Sequence, residues 1–179
     1  MDPADILDFW FNALKPAQWF KASPKLDDLI RERFGAVHLA ASRCETYSWR
    51  DTAAGRLAEI IVLDQFSRNI HRGTPLAFAS DPLALALAQT AVALGTDLEL
   101  PVDQRAFLYM PYMHSESPLI HVEAVRLFSA PGLETSLSSE MKHKAIIDRF
   151  GRFPHRNAIL GRTSTPEELA FLDGPGSSF

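Results

Sequence analysis

The sequence predicts an all-α protein, and three observations carry the prediction. Six pairs, Asp2-Pro3, Ser23-Pro24, Thr74-Pro75, Asp81-Pro82, Ser117-Pro118 and Thr165-Pro166, set a helix-capping side chain directly before a proline. The capping oxygen satisfies an orphan amide, and proline at the first helical position gives up no hydrogen bond. Behind these pairs apolar residues recur at three- and four-residue spacing, the pattern of a helix with one buried face. No window alternates β-branched residues with period two, so no sheet is expected. Helices joined by short connections read as antiparallel helical pairs.

Taken in order, the first helix is expected from Pro3 to about Leu14, with Ile6, Leu7, Trp10 and Leu14 on one face. A short turn then sets Trp19 and Phe20 against the core. A second helix runs from Pro24 to about Ser42 along the stripe Leu26, Leu29, Ile30, Phe34, Val37 and Ala41. Asp51 or Thr52 caps a third, reaching about Phe66. Pro82 to Leu94 reads as an Ala/Leu-rich helix buried on most sides, with Gly95 at its left-handed cap. Pro101 opens a helix that Pro111 is expected to end or kink, since it lacks an amide proton. Pro118 to Phe128 and Leu137 to Phe150 follow, the second stopping at Gly151. Thr165-Pro166 starts a last short helix, and residues 173–179 read as a flexible tail.

A length of 179 residues fits one domain spanning 1–179, large enough to build a core without staples. The net charge of −4 argues against sequence-independent nucleic-acid binding, which needs a basic footprint. Cys44 is the single cysteine, which excludes an internal disulfide framework and a thiolate-only metal cage. It reads as a small buried hydrophobe. The first residues are acidic where a signal peptide would be basic, and apolar runs such as Leu83 to Ala88 fall short of a bilayer span. The expectation is a soluble, cytoplasmic protein with no membrane or nucleic-acid partner and an open oligomeric state.

Two stretches echo each other and hold the candidate site. Residues 64–73 (Asp-Gln-Phe-Ser-Arg-Asn-Ile-His-Arg-Gly) and 149–162 (Arg-Phe-Gly-Arg-Phe-Pro-His-Arg-Asn-Ala-Ile-Leu-Gly-Arg) both carry phenylalanine, then Arg-Asn, then isoleucine, and close on glycine and arginine. Leu57, Ile60, Ile61 and Asp64 share one helical face, so the Asp64 carboxylate is buried and must be paired. Arg68, one turn on, Arg152 and Arg156 are its candidate partners. Two readings stand: an ion-pair network that ties loops together, or a pocket whose arginines await a carboxylate or phosphate. The ligand-binding candidates are Asp64, Arg68, Asn69, Arg72, Tyr109, His114, Glu116, Arg152, His155, Arg156 and Asn157.

The stretch Tyr109-Met110-Pro111-Tyr112-Met113-His114-Ser115-Glu116 puts a histidine and a carboxylate in one turn. Such a pair suits general acid/base catalysis or metal ligation. No paired-His or carboxylate-rich metal spacing and no phosphate-cradling glycine loop accompanies it, so no metal or cofactor is assigned. Three functions follow: a module binding an anionic small molecule or peptide carboxylate, a hydrolase using His114 and Glu116, or a scaffold.

These residues resemble a known pattern. The stretch 55–70 with Arg72-Gly73-Thr74-Pro75, Phe78-Ala79 and Asp81, the stretch Phe107-Leu108-Tyr109-Met110-Pro111 with His114-Ser115-Glu116, and 149–157 with Leu160-Gly161-Arg162 are similar to an uncharacterised bacterial family, domain of unknown function 924. Family members often carry proline where this chain has Ser67. The resemblance implies a right-handed, tetratricopeptide-repeat-like array of helical pairs and no particular activity. No 34-residue repeat is legible in the chain itself.

Overall fold

The computed structural model describes residues 1–177, and among them the chain is helical throughout, without a strand. The regular helices are α1 (Pro3–Leu7), α2 (Pro16–Trp19), α3 (Pro24–Ser42), α4 (Ala53–Ile61), α5 (Ser67–Ile70), α6 (Asp81–Ala93), α7 (Val102–Met113), α8 (Pro118–Phe128), α9 (Glu134–Phe150) and α10 (Pro166–Leu172). The expected tail keeps turns as far as Ser177, and its last two residues lie outside the described part.

Residues 53–70 form the rod around which the rest packs. α4 passes without a break into a widened π-helical turn, Val62–Phe66, and then into α5. Leu57, Ile60, Ile61, Val62, Leu63 and Phe66 are all fully buried. α1 and α7 pack on α4, α3 packs on α5 and the widened turn, and α8 lies between α7 and α9. Gly55 has a steric reason: a Cβ there would stand 1.9 Å from the Trp49 carbonyl oxygen. The buried Glu59 accepts Arg50 Nε at 2.7 Å and the Thr46 hydroxyl at 2.7 Å, pinning the preceding turn to the rod. The rod runs on to Ile70, past the expected end at Phe66.

Several expectations are corrected. Pro111 lies inside α7 and does not end it; the missing amide removes one bond, and the His114 amide still reaches the Met110 carbonyl. α9 begins at Glu134, ahead of Leu137. Three of the six pairs cap with their side chain, Asp2, Ser23 and Thr165. Thr74 and Ser117 do not, and the Asp81 side chain goes to arginines instead. Leu29 is exposed, as is Phe20, which lies on Phe107 at 6.2 Å. α6 is buried along one side only, through Ala84, Leu87, Ala88 and Ala91. Cys44 is exposed and holds a left-handed φ of 59° where α3 ends. Pro75–Ala93, with mean hydropathy 1.4, has the length and apolarity of a candidate membrane span, which no short apolar run had suggested. That stretch is interrupted between Phe78 and Asp81, Asp81 is ion-paired, and α6 packs on α4 and α7.

Candidate functional site

At the widened turn the rod presents Asp64, fully buried, to the C-terminal end of α7. Asp64 Oδ1 meets His114 Nδ1 at 2.7 Å and Arg68 Nη1 at 3.1 Å, and its Oδ2 accepts from Gln65 Nε2 at 2.6 Å. Burial alone would raise this carboxyl, but Arg68, His114 and Gln65 outweigh it and hold it well below the carboxylate range. An ionised Asp64 fixes the proton of His114 on Nδ1. Burial first, and the charge of Arg68 second, push the His114 imidazole below its ordinary value, so the ring is neutral at pH 7.

Asp81 joins the two echoed stretches. Arg68 donates to it through Nη1 and Nη2 at 3.0 and 3.1 Å, and Arg156 Nη1 reaches it at 3.3 Å. Arg156 is 7% exposed and lies between the rings of Phe78 and Phe153, 4.5 and 4.7 Å from their centroids. Its Nη2 donates to the His114 carbonyl at 3.1 Å, while its buried Nε has no partner among the described residues. Burial lowers this guanidinium to about 10. An open cavity of about 290 Å³ lies over this group, with His114, Arg156, Asp81, Glu116, Phe78 and Leu160 in its wall.

Behind the cavity the remaining polar side chains lock the chain together. Glu116 accepts Arg162 at 2.6 and 2.9 Å and the Phe153 amide at 2.8 Å. Burial would raise its carboxyl, yet these donors lower it. Glu168, 2% exposed, accepts Arg152 Nε at 2.6 Å and Nη2 at 2.8 Å, the Thr165 amide at 2.7 Å and Asn157 Nδ2 at 3.3 Å. The hydrogen bond from Arg152 leads the causes that bring it down to about 2. Deeper still, His121 Nδ1 faces Glu140 Oε1 at 2.7 Å and its Nε2 faces the Ser115 carbonyl at 2.8 Å, holding the turn that carries Glu116.

The sequence echo has a structural counterpart. Arg68 and Arg156 meet at Asp81. The asparagine after each donates Nδ2 to a buried carboxylate, Asn69 to Asp27 at 2.8 Å and Asn157 to Glu168. Each carboxylate is also gripped through Nε and Nη2 of an arginine, Asp27 by Arg72 and Glu168 by Arg152.

Of the candidates, His114, Glu116 and Arg156 line one cavity, Asp64 and Arg68 are joined to it through His114 and Asp81, and the His155 ring lies 5.6 Å from that of Phe153. Arg152 and Asn157 sit behind the cavity on Glu168. Asn69 and Arg72 are drawn to α3 by Asp27, away from the cavity. Tyr109 is elsewhere: its hydroxyl donates to Asp97 at 2.5 Å in the wall of a second cavity, because α7 turns it to the face opposite Asp64. His114 pairs with Asp64, not Glu116, whose carboxylate is occupied by Arg162. Sequence reasoning did not place Asp81, Glu168, Asp27 or Phe78 among the site residues. Asp81 and Glu168 stand where helix-capping or first-turn acids belong, and nothing in a sequence separates that role from an arginine partner. Among the described residues, no three His, Cys, Asp or Glu side chains gather as a metal-binding group.

A family described as a bacterial protein of unknown function, domain of unknown function 924, matches residues 6–176. No curated protein matches. The solved structure of a protein of unknown function, ATU0120 from Agrobacterium tumefaciens, is 41% identical, covers 96% of this chain and 97% of its own, and superposes with a TM-score of 0.91. With the match running over almost the whole length, the chain belongs to the bacterial family known as domain of unknown function 924.

Proposed function

We propose that this protein is a soluble, cytoplasmic binding module that holds a small carboxylate-bearing molecule in the cavity over Arg156. One observation carries the reading: a guanidinium has five N–H donors, and buried Arg156 makes only two hydrogen bonds among the described residues, one of them long. A buried donor without a partner is costly, and a ligand oxygen relieves that cost. The charges favour a single carboxylate group at Arg156, such as one end of a dicarboxylate, over a phosphate that places two charges on one group. Arg68, Arg156 and Arg162 are balanced around the cavity by Asp64, Asp81 and Glu116. Phe78, Pro75, Pro82 and Leu160 offer the ligand an apolar wall. The packing of α7 on α8 and of α8 on α9, each pair joined by a short connection, fits a tetratricopeptide-repeat-like array, an architecture that presents grooves to ligands.

Isothermal titration with succinate tests the reading. Wild-type protein is expected to bind, and Arg156→Met to lose binding while keeping its helical circular dichroism. Wild type that takes up no heat at millimolar succinate, or a variant that binds as well, contradicts it.

A further inference from the structure

We propose that the same cavity is hydrolytic: His114 Nε2 acts as general base toward water, cleaving a short ester whose free carboxylate is anchored by Arg156. The proposal rests on the anion-site reading above and adds a reaction to it. Its geometry is that of an imidazole oriented by a buried carboxylate. Asp64 occupies Nδ1 at 2.7 Å, His114 lines the cavity, and no hydrogen bond from a described residue reaches Nε2. The opposite edge of the ring is therefore the one left to a bound molecule, carrying a lone pair.

The charges around the ring are opposed, Arg68 favouring the neutral form and Asp64 and Asp81 the imidazolium, and burial together with Arg68 prevails. The rod contributes Asp64 and Arg68, α6 contributes Asp81, and the segment after α9 contributes Arg156. α9 sets His143 with its ring 6.5 Å away. Burial brings His143 down to about 3, so it adds no positive charge at neutral pH. Glu116 cannot replace Asp64, because Arg162 and the Phe153 amide hold it. Ser115 is not the nucleophile: its hydroxyl accepts the Ser117 amide at 3.2 Å, and it is not part of the cavity wall. Water is the nucleophile that remains.

In the first step water passes a proton to His114 Nε2 as its oxygen bonds to the acyl carbon, and the carbonyl becomes an oxyanion. The carbonyl then re-forms, the bond to the alcohol oxygen breaks, and the imidazolium returns its proton to the departing alkoxide. The products are a carboxylic acid and an alcohol, and the base is regenerated. Arg156 holds the distal carboxylate, and the Phe78, Pro75, Pro82 and Leu160 wall seats the apolar alcohol. Asp64 is a positioning residue, acting through the ring.

Release of 4-nitrophenol from mono-4-nitrophenyl succinate is the test. Wild type is expected to turn it over, with kcat/KM rising through a pKa below that of an ordinary histidine. His114→Gln is expected to lose about 10²–10⁴-fold while binding succinate as wild type does. His114→Gly is expected to regain turnover with added imidazole, a response that a merely structural histidine would not give. Asp64→Asn is expected to lower kcat far more than it raises KM and to move the acid limb of the profile. Wild type that binds succinate yet leaves the ester at the buffer rate overturns this proposal and spares the anion site. His114→Gln with undiminished turnover does the same. Wild type that neither binds succinate nor cleaves the ester removes both.

Discussion

Residues 149–162 supply arginines to two neighbouring clusters of opposite character. In the rear cluster Arg152 and Arg162 are well paired: among the described residues Arg152 makes three hydrogen bonds, two to Glu168 and one to the Thr163 carbonyl. Arg162 makes four, to Glu116, Asn157 and the Phe153 carbonyl. Arg156, between them in sequence and more deeply buried than either, makes two and leaves Nε unpartnered. The same residue type thus plays two parts. Where carboxylates and carbonyls take most of the donors, the arginine fastens the chain; where a buried donor is left over beside a cavity, it is free to take a ligand.

That comparison is easiest to break at Glu168. Its replacement by alanine strands Arg152, the Asn157 amide and the Thr165 amide together. The expected loss of melting temperature is on the order of 5–10 °C, with succinate binding unchanged. A melting temperature within a degree or two of wild type would show that the rear cluster does not fasten the chain.

Acid should act on the fold before it acts on these locks. Burial lowers His38 to about 4, His143 to about 3 and His155 to about 4, each from an ordinary 6.5. A histidine depressed on folding contributes stability that is complete above its unfolded pKa and is lost as pH falls toward the folded value. The slope is at most about 1.4 kcal/mol per pH unit for each. Denaturant midpoints should therefore fall between pH 6.5 and 4. The lowered carboxylates Asp27, Glu116 and Glu168 should add their loss only further into acid, below their ordinary 3.8 to 4.5. A midpoint flat from pH 7 to 5 would contradict the burial of neutral imidazoles.

Smaller effects sharpen the echo between the stretches. Asn157 is fully buried and bonds Ser164, Glu168 and Arg162, whereas the Asn69 side chain bonds Asp27 alone among the described residues. Asn157→Ala should cost about 2–3 kcal/mol and Asn69→Ala about 1 kcal/mol, measured by urea unfolding. The reverse order would deny that the second stretch is the more tightly fastened. Arg156→Met should change stability least, since methionine fills the space between Phe78 and Phe153 and removes an incompletely paired buried charge.

The helical architecture was legible because capping residue–proline pairs and apolar spacing act locally. The bounds of α3 and α8 match what Ser23-Pro24 and Ser117-Pro118 imply. Pro111 does not end α7 because a proline's effect depends on whether the surrounding contacts hold the helix, and those contacts are tertiary. Within the site, the burial of Asp64 followed from its place on the face with Leu57 and Ile61. Its partnership with His114 spans 50 positions and is set by how α7 crosses the rod. Asp81 stayed hidden for the related reason that a local capping role explained it fully. Four further ligand-binding candidates have their partners outside the cavity: Asn69 and Arg72 bond Asp27, and Arg152 and Asn157 bond Glu168.

The arginine Nε–H resonances of ¹⁵N-labelled protein, followed through a succinate titration, test the contrast most directly. The Arg156 signal should shift on titration, and those of Arg152 and Arg162 should stay in place. An Arg156 signal that does not move, or movement in Arg152 and Arg162 instead, would contradict the division between a fastened cluster and a receptive one.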